Sequence, residues 1–274
     1  MPTADAHFHL FADGYQGMYG SSPAGGDELA IYERLRRHYG IKRGLVLGYE
    51  GGPQYAGNND HILTLARSRP WMAPLAFLPA SSPPTVEGLQ ELRTRGAAGF
   101  ALYPASEAEA RAVNDWPAAV FAEMRAQSAV VSLNADPAAA ACMARVIDQL
   151  DGCPVLISHI GSPGQFAGAP GRADARELLA PLLALAGREH VSVKFSGLYG
   201  ISDPFHDFPH DQARPFVDVL LQELGPARLV WGSDYSPALD YVSFAQAADT
   251  GLLSGCSEAE VEAVMGGNLL RLLD

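Results

Sequence analysis

Cysteine is scarce in this chain. Cys142, Cys153 and Cys256 are the only three, odd in number and far apart. They form neither a disulfide framework nor a Cys-based zinc cluster, so they read as reduced thiols of a cytoplasmic protein. Basic residues are also few: 19 Lys and Arg stand against 31 Asp and Glu, giving a net charge of −12. No basic patch is present, which argues against a nucleic-acid partner. No block of like charge appears, so the acidity reads as a solvated surface. No apolar run reaches membrane-spanning length, and the N-terminus shows neither a charged n-region nor an apolar h-region. Neither secretion nor membrane insertion is expected. A G-x-G-x-x-G fingerprint after the first strand is missing too, which weakens an open dinucleotide-binding sheet.

What the chain does have is a regular alternation. Short apolar segments at 43–48, 73–78, 98–103, 129–133, 154–159, 191–196 and 228–232 follow a first strand that ends at His9. Helical stretches separate them. Asp27 is placed to cap a helix that stops at Gly40, Asp136-Pro137 to start one running to about Leu150, and Ser257 with Glu260 to form a capping box. Strands apolar on both faces, joined by helices, predict parallel pairing with crossover connections. Eight such units over 274 residues fit a single (β/α)8 TIM barrel, one domain spanning 1–274. The long connections, 11–26, 160–172 and 197–210, all follow strands, which is the side of a barrel where active sites are built.

The polar residues at strand ends point to the same face. His7 and His9 lie at i and i+2 in Asp5-Ala6-His7-Phe8-His9, so both imidazoles share one side of strand 1. His159 ends strand 6, and Asp234 follows strand 8. Barrel closure brings strand 8 beside strand 1, so Asp234 should approach His7 and His9, with His159 across the mouth. Three imidazoles and a carboxylate suit a divalent ion such as zinc. They suit equally a metal-free acid–base and oxyanion site. In strand 7, Val191, Val193 and Phe195 share the face that helices should cover, which turns Lys194 inward. There it should pair with a carboxylate such as Asp5, or meet an anionic substrate group. Tyr235, Tyr49, Tyr103 and Asn134 follow strands and are candidates to contact substrate. His206 and His210, in the strand 7 loop, read as surface residues.

Five segments in this order and spacing carry a family resemblance. They are Asp-Ala-His-Phe-His-Leu (5–10), Ile-Ser-His-Ile-Gly-Ser-Pro (157–163), Val-Lys-Phe-Ser-Gly-Leu-Tyr (193–199), Arg-Leu-Val-Trp-Gly-Ser-Asp-Tyr-Ser-Pro (228–237) and Gly-Gly-Asn-Leu-Leu-Arg-Leu-Leu (266–273). The chain resembles the amidohydrolase superfamily, in the amidohydrolase-related branch that holds sugar lactonases, the pyrone-dicarboxylate lactonase and some decarboxylases. The resemblance implies a (β/α)8 barrel with His7, His9, His159 and Asp234 at the site. Three departures matter. Strand 4 has no lysine, which argues against a two-metal centre, and strand 5 has no histidine, which leaves the decarboxylase set incomplete. Ala101 also stands where the pyrone-dicarboxylate lactonase carries an arginine. The resemblance therefore implies hydrolysis of a small carbonyl substrate, foremost a lactone, with Asp234 and His159 catalytic. His7, His9, His159 and Asp234 would hold one zinc, or work without metal as some members of the branch do. Decarboxylation, carbon–carbon hydrolysis and a ligand-binding member without activity are the alternatives. Oligomeric state, a homo-oligomer included, is left open.

Overall fold

The computed structural model describes residues Met1 to Asp274. One eight-stranded sheet runs in chain order: β1 (Ala4–Phe8), β2 (Arg43–Leu47), β3 (Met72–Leu78), β4 (Gly99–Leu102), β5 (Val130–Leu133), β6 (Val155–Ile157), β7 (Val191–Phe195) and β8 (Leu229–Trp231). Each neighbouring pair is parallel. The ring closes just past β8, where the Asp234 amide donates to His7 O at 2.8 Å and Phe8 bridges Tyr235. The architecture is a single (β/α)8 TIM barrel. No helix is long and apolar enough to cross a membrane.

The alternation of side chains along each strand separates two cores. Leu45, Leu47, Leu75, Ala101, Leu156 and Val230 belong to a small inner cluster. Val46, Phe100, Val131, Val155, Val193 and Phe195 belong to the large cluster shared with the helices. Both faces are dry, which is why the strands carry continuous apolar runs rather than an apolar–polar alternation. Val193 and Phe195 face the helices and Lys194 lies fully buried between them in sequence, on the barrel side.

Capping chemistry sets the helix limits where the sequence suggests. The Asp27 carboxylate accepts from the Ala30 amide, and Gly40 ends that helix at φ 76°. Asp136 accepts from the Ala139 amide with Pro137 next to it, and Ser257 and Glu260 form a capping box. Three details differ from the sequence reading. The stretch from Pro137 is two short helices, Pro137–Cys142 and Ala144–Gln149, broken at Met143. A helix at Glu107–Asn114 adds to the β4 connection. β6 stops at Ile157, so His159 sits in a single 3-10 turn rather than in the strand.

Candidate active site

A cleft of 390 Å³ opens at the C-terminal ends of the strands, with His9, His159 and Asp234 among its lining. The residues at its floor get there by breaks in regular structure. The β1–β2 register shifts between Asp5 and Phe8. This irregularity parts Asp5 from His7. The Asp5 carboxylate accepts from Tyr32 Oη at 2.8 Å, from the Ser233 amide and Oγ at 2.9 and 2.6 Å, and from the His7 amide at 3.0 Å. It thereby ties β1 to the loop after β8. Its burial pushes its pKa up to about 6 against those hydrogen bonds.

His7 and His9 then face each other, Nε2 to Nε2, at 3.1 Å. Asp234 Oδ1 lies 3.6 Å from His7 Nε2 and 3.9 Å from His9 Nε2. His159 packs on His7 with ring centroids 4.6 Å apart, its Nδ1 4.0 Å from Asp234 Oδ2. Both His159 (φ 55°) and Asp234 (φ 54°) hold left-handed backbone without being glycine. Such residues cost about 1 kcal/mol each and cluster at working sites. Gly197 makes room for one of them: a Cβ there would stand 2.4 Å from His159 Nδ1.

Electrostatics follow from burial. It lowers the pKa of His7 well below the usual imidazole range, with Lys194 nearby adding to the effect. It takes His9 down to about 4 and His159 to about 3. All three imidazoles are therefore neutral at neutral pH. The Asp234 carboxyl is raised by burial, opposed by His9, by a hydrogen bond from Tyr199 and by Lys194. That hydrogen bond, Tyr199 Oη to Asp234 Oδ2, is 2.6 Å long.

A divalent ion suits this donor set. His7, His9 and Asp234 each offer one ligand atom, all within 4.8 Å of one another. His9 Nδ1 lies 3.0 Å from Leu47 O, so it carries the proton and leaves Nε2 as a lone pair. For His7 to do likewise, its Nδ1–H must face a neutral Lys194, whose Nζ is 3.0 Å away, or Ser158 Oγ at 3.4 Å. Burial brings Lys194 down to about 7, which makes the neutral amine available.

Two expected substrate contacts lie elsewhere. Lys194 is fully buried and reaches neither Asp5 nor the cleft; it donates to Ser132 Oγ at 2.6 Å and meets His7 from below. The displaced Asp5 explains the missing ion pair. Tyr235 turns into the helix layer, where its hydroxyl donates to Glu28 O at 2.8 Å and its ring packs on Tyr32. Tyr49, Tyr103 and Asn134 do line the cleft. His210 is buried, with Nδ1 3.0 Å from Ser202 Oγ, rather than at the surface; His206 is exposed. The sequence reading missed Tyr199 and the aromatic wall of Phe11, Tyr15 and Tyr55. Tyr199 sits five residues past Lys194, in a motif that carried the family resemblance, but a single loop tyrosine has no spacing signature.

Comparisons with known proteins bear on the fold and the family. A 4-sulfomuconolactone hydrolase of Rhizobium radiobacter is 28% identical over 216 residues, which is 76% of this chain and 64% of that protein. The match thus spans less than two thirds of the relative's length. An amidohydrolase from Burkholderia multivorans, solved with zinc bound, superposes with a TM-score of 0.77 at 22% identity, over 100% of this chain and 99% of its own. A probable 2-pyrone-4,6-dicarboxylic acid hydrolase from Acinetobacter baumannii, solved with citric acid, gives 0.73 at 16% identity over 100% and 99%. Residues 4–274 match the Amidohydrolase family end to end, and the chain belongs to that family.

Proposed function

We propose that this protein hydrolyses a small carbonyl substrate, foremost a lactone, by attack of water at the barrel mouth. The observation that carries the reading is the convergence of Asp234 with neutral His9 and His159 in the lining of one cleft, with neutral His7 buried against them. The names of the relatives, a sulfomuconolactone hydrolase and a pyrone-dicarboxylic acid hydrolase, support lactone opening as the reaction class.

Asp234 serves as general base. Burial raises its proton affinity, and the Tyr199 hydroxyl fixes Oδ2, so the carboxylate is held in one orientation toward an attacking water. His159, partly buried beside it and neutral, donates a hydrogen bond to the oxyanion as the carbonyl becomes tetrahedral, and Asp234 then passes the proton it took from water to the leaving alkoxide. His7 and His9 hold the other side, each oriented by its own partner, Lys194 and Leu47 O. A single divalent ion such as Zn²⁺, held by His7, His9 and Asp234, would polarise the carbonyl and acidify water. The same reading takes residues 1–274 as one domain acting on a small molecule in the cytoplasm.

The test is elemental analysis of the purified protein alongside a lactone panel with and without chelator. About one zinc per chain with chelator-sensitive hydrolysis supports the metal-assisted form. No metal with chelator-insensitive hydrolysis supports direct acid–base catalysis. Asp234→Asn should abolish turnover in either case while leaving the fold intact; undiminished turnover would sink the assignment.

A further inference from the structure

We propose that the cleft accepts an uncharged, ring-shaped substrate and rejects rings bearing a carboxylate or sulfonate. The inference deepens the hydrolase reading and rests on it. Its first ground is charge. No lysine or arginine lines the cleft. None lines the 560 Å³ outer chamber that shares Tyr49, Tyr103 and Asn134 with it, or the 350 Å³ recess beside His159. The charges present are of one sign: Asp234 on the floor, and Glu50, Glu109 and Asp136 in the outer chamber. Each of those outer acids holds a backbone amide, of Asn59, Ala105 and Ala139 respectively, and so is fixed in place. Lys42 and Lys194 are the only lysines in the sequence. Lys194 is sealed beneath His7.

The second ground is shape. Phe11 and Tyr55 pack with centroids 4.5 Å apart on one wall, and Tyr49 and Tyr103 stand edge-to-face at 5.1 Å on another. Tyr49 joins the two walls, 5.6 Å from Tyr55. Aromatic faces are electron-rich, favour flat apolar rings and repel anions. An anionic substituent would give up its hydration and find no cationic side chain to pair with. The Asn134 amide and the Tyr103 hydroxyl make no side-chain hydrogen bond within the protein, and both are neutral groups free to hold a ring oxygen. The two lactone hydrolases named above carry sulfonated and carboxylated substrates in their names; this cleft is built for the neutral counterpart.

The test uses four probes on the purified full chain: dihydrocoumarin, dihydrocoumarin carrying a ring carboxylate, and the two corresponding chromans, which cannot be hydrolysed. The neutral lactone should exceed its carboxylate in kcat/KM by about 100-fold, and calorimetry should find chroman bound more tightly than its carboxylate by about tenfold or more. Asn134→Arg, which adds a cation at a half-buried wall position, should shift both ratios toward the anion by about tenfold. Equal or better use of the carboxylates, binding of neither chroman, or an unmoved ratio in a folded Asn134→Arg would each overturn the inference. Preferential binding of chroman without hydrolysis of any lactone would defeat the hydrolase reading and leave this one standing. Hydrolysis that favours the carboxylate would do the reverse.

Discussion

Gly197→Ala is the sharpest test of how the site is assembled. Gly197 follows β7 at φ 64°, and a Cβ there would lie 2.4 Å from His159 Nδ1, 2.7 Å from its Cγ and 2.9 Å from its Cβ. Two costs add. Placing alanine in the left-handed region costs about 1–2 kcal/mol. The clash is with the base of a partly buried ring whose own backbone is strained, not with a flexible tip, so relieving it costs about 1–3 kcal/mol more. A loss of about 2–5 kcal/mol lowers Tm by about 5–15 °C in a chain of this size. Any shift of the His159 ring also spoils its approach to the substrate oxygen, and a displacement near 1 Å costs about 100-fold in turnover. Gly200→Ala, in the same loop with nothing within 4 Å of the added Cβ, is the control and should change neither quantity. Thermal unfolding reads the first effect without knowledge of the substrate; a kinetic assay on any lactone the wild type opens reads the second. If Gly197→Ala melts with Gly200→Ala and turns over as fast, His159 is not held where the structure has it, and the reasoning fails.

Other consequences can be checked in parallel. In chelator-treated protein, stability should fall between pH 7 and pH 4: the unfolded imidazoles take up protons near 6.5 while His9 and His159 resist until about 4 and 3. Each contributes a loss of about 3 kcal/mol by pH 4, and Asp5, whose raised pKa works in the opposite sense, returns about 2. A Tm unchanged across that range would contradict the burial argument. Asp5→Ala leaves the His7 and Ser233 amides and the Ser233 and Tyr32 hydroxyls without their acceptor, and denaturant unfolding should register a loss of about 3 kcal/mol or more. Tyr103→Phe should be neutral or stabilising by up to about 1 kcal/mol, because the Tyr103 hydroxyl is buried without a partner; clear destabilisation would mean that a water or ligand satisfies it.

The barrel was legible in the sequence because its causes are local and repeated: apolar runs, caps and short returns, eight times over. The convergence of His7, His9, His159 and Asp234 was legible for a related reason, since the barrel's symmetry converts position at a strand end into position in space. What could not be read were the orientations fixed by single irregularities. Strict alternation along β1 groups Asp5 with His7, and the register shift between Asp5 and Phe8 separates them. That one break sends Lys194 to His7 and Ser132 instead of to a carboxylate. Tyr235 follows Asp234 directly, so the turn that aims the carboxylate into the cleft sends the next side chain outward to Glu28. The wall formed by Phe11, Tyr15 and Tyr55 comes from two loops whose course has no periodicity to betray it.

These irregularities share a purpose. Asp234 reaches His7 and His9 because its backbone occupies a region that ordinary residues avoid. That conformation is held by fixed neighbours: the Asp234 amide on His7 O, and the preceding Ser233 on Asp5 through both its amide and its hydroxyl. Asp5 is in turn buried with a raised pKa, so a carboxyl that would ionise more readily in water is kept there to anchor a loop. The same holds for Lys194, which braces His7 from the barrel interior despite the cost of an amine in a dry core. Removing either one alone leaves its buried partners unsatisfied, and only an apolar replacement of the whole polar layer would spare the barrel that cost. The polar layer beneath the floor makes sense only if the groups above it must be held rigidly at a particular angle. Preorganisation of that kind is what an oxyanion site and a general base require, and what a purely structural barrel does not.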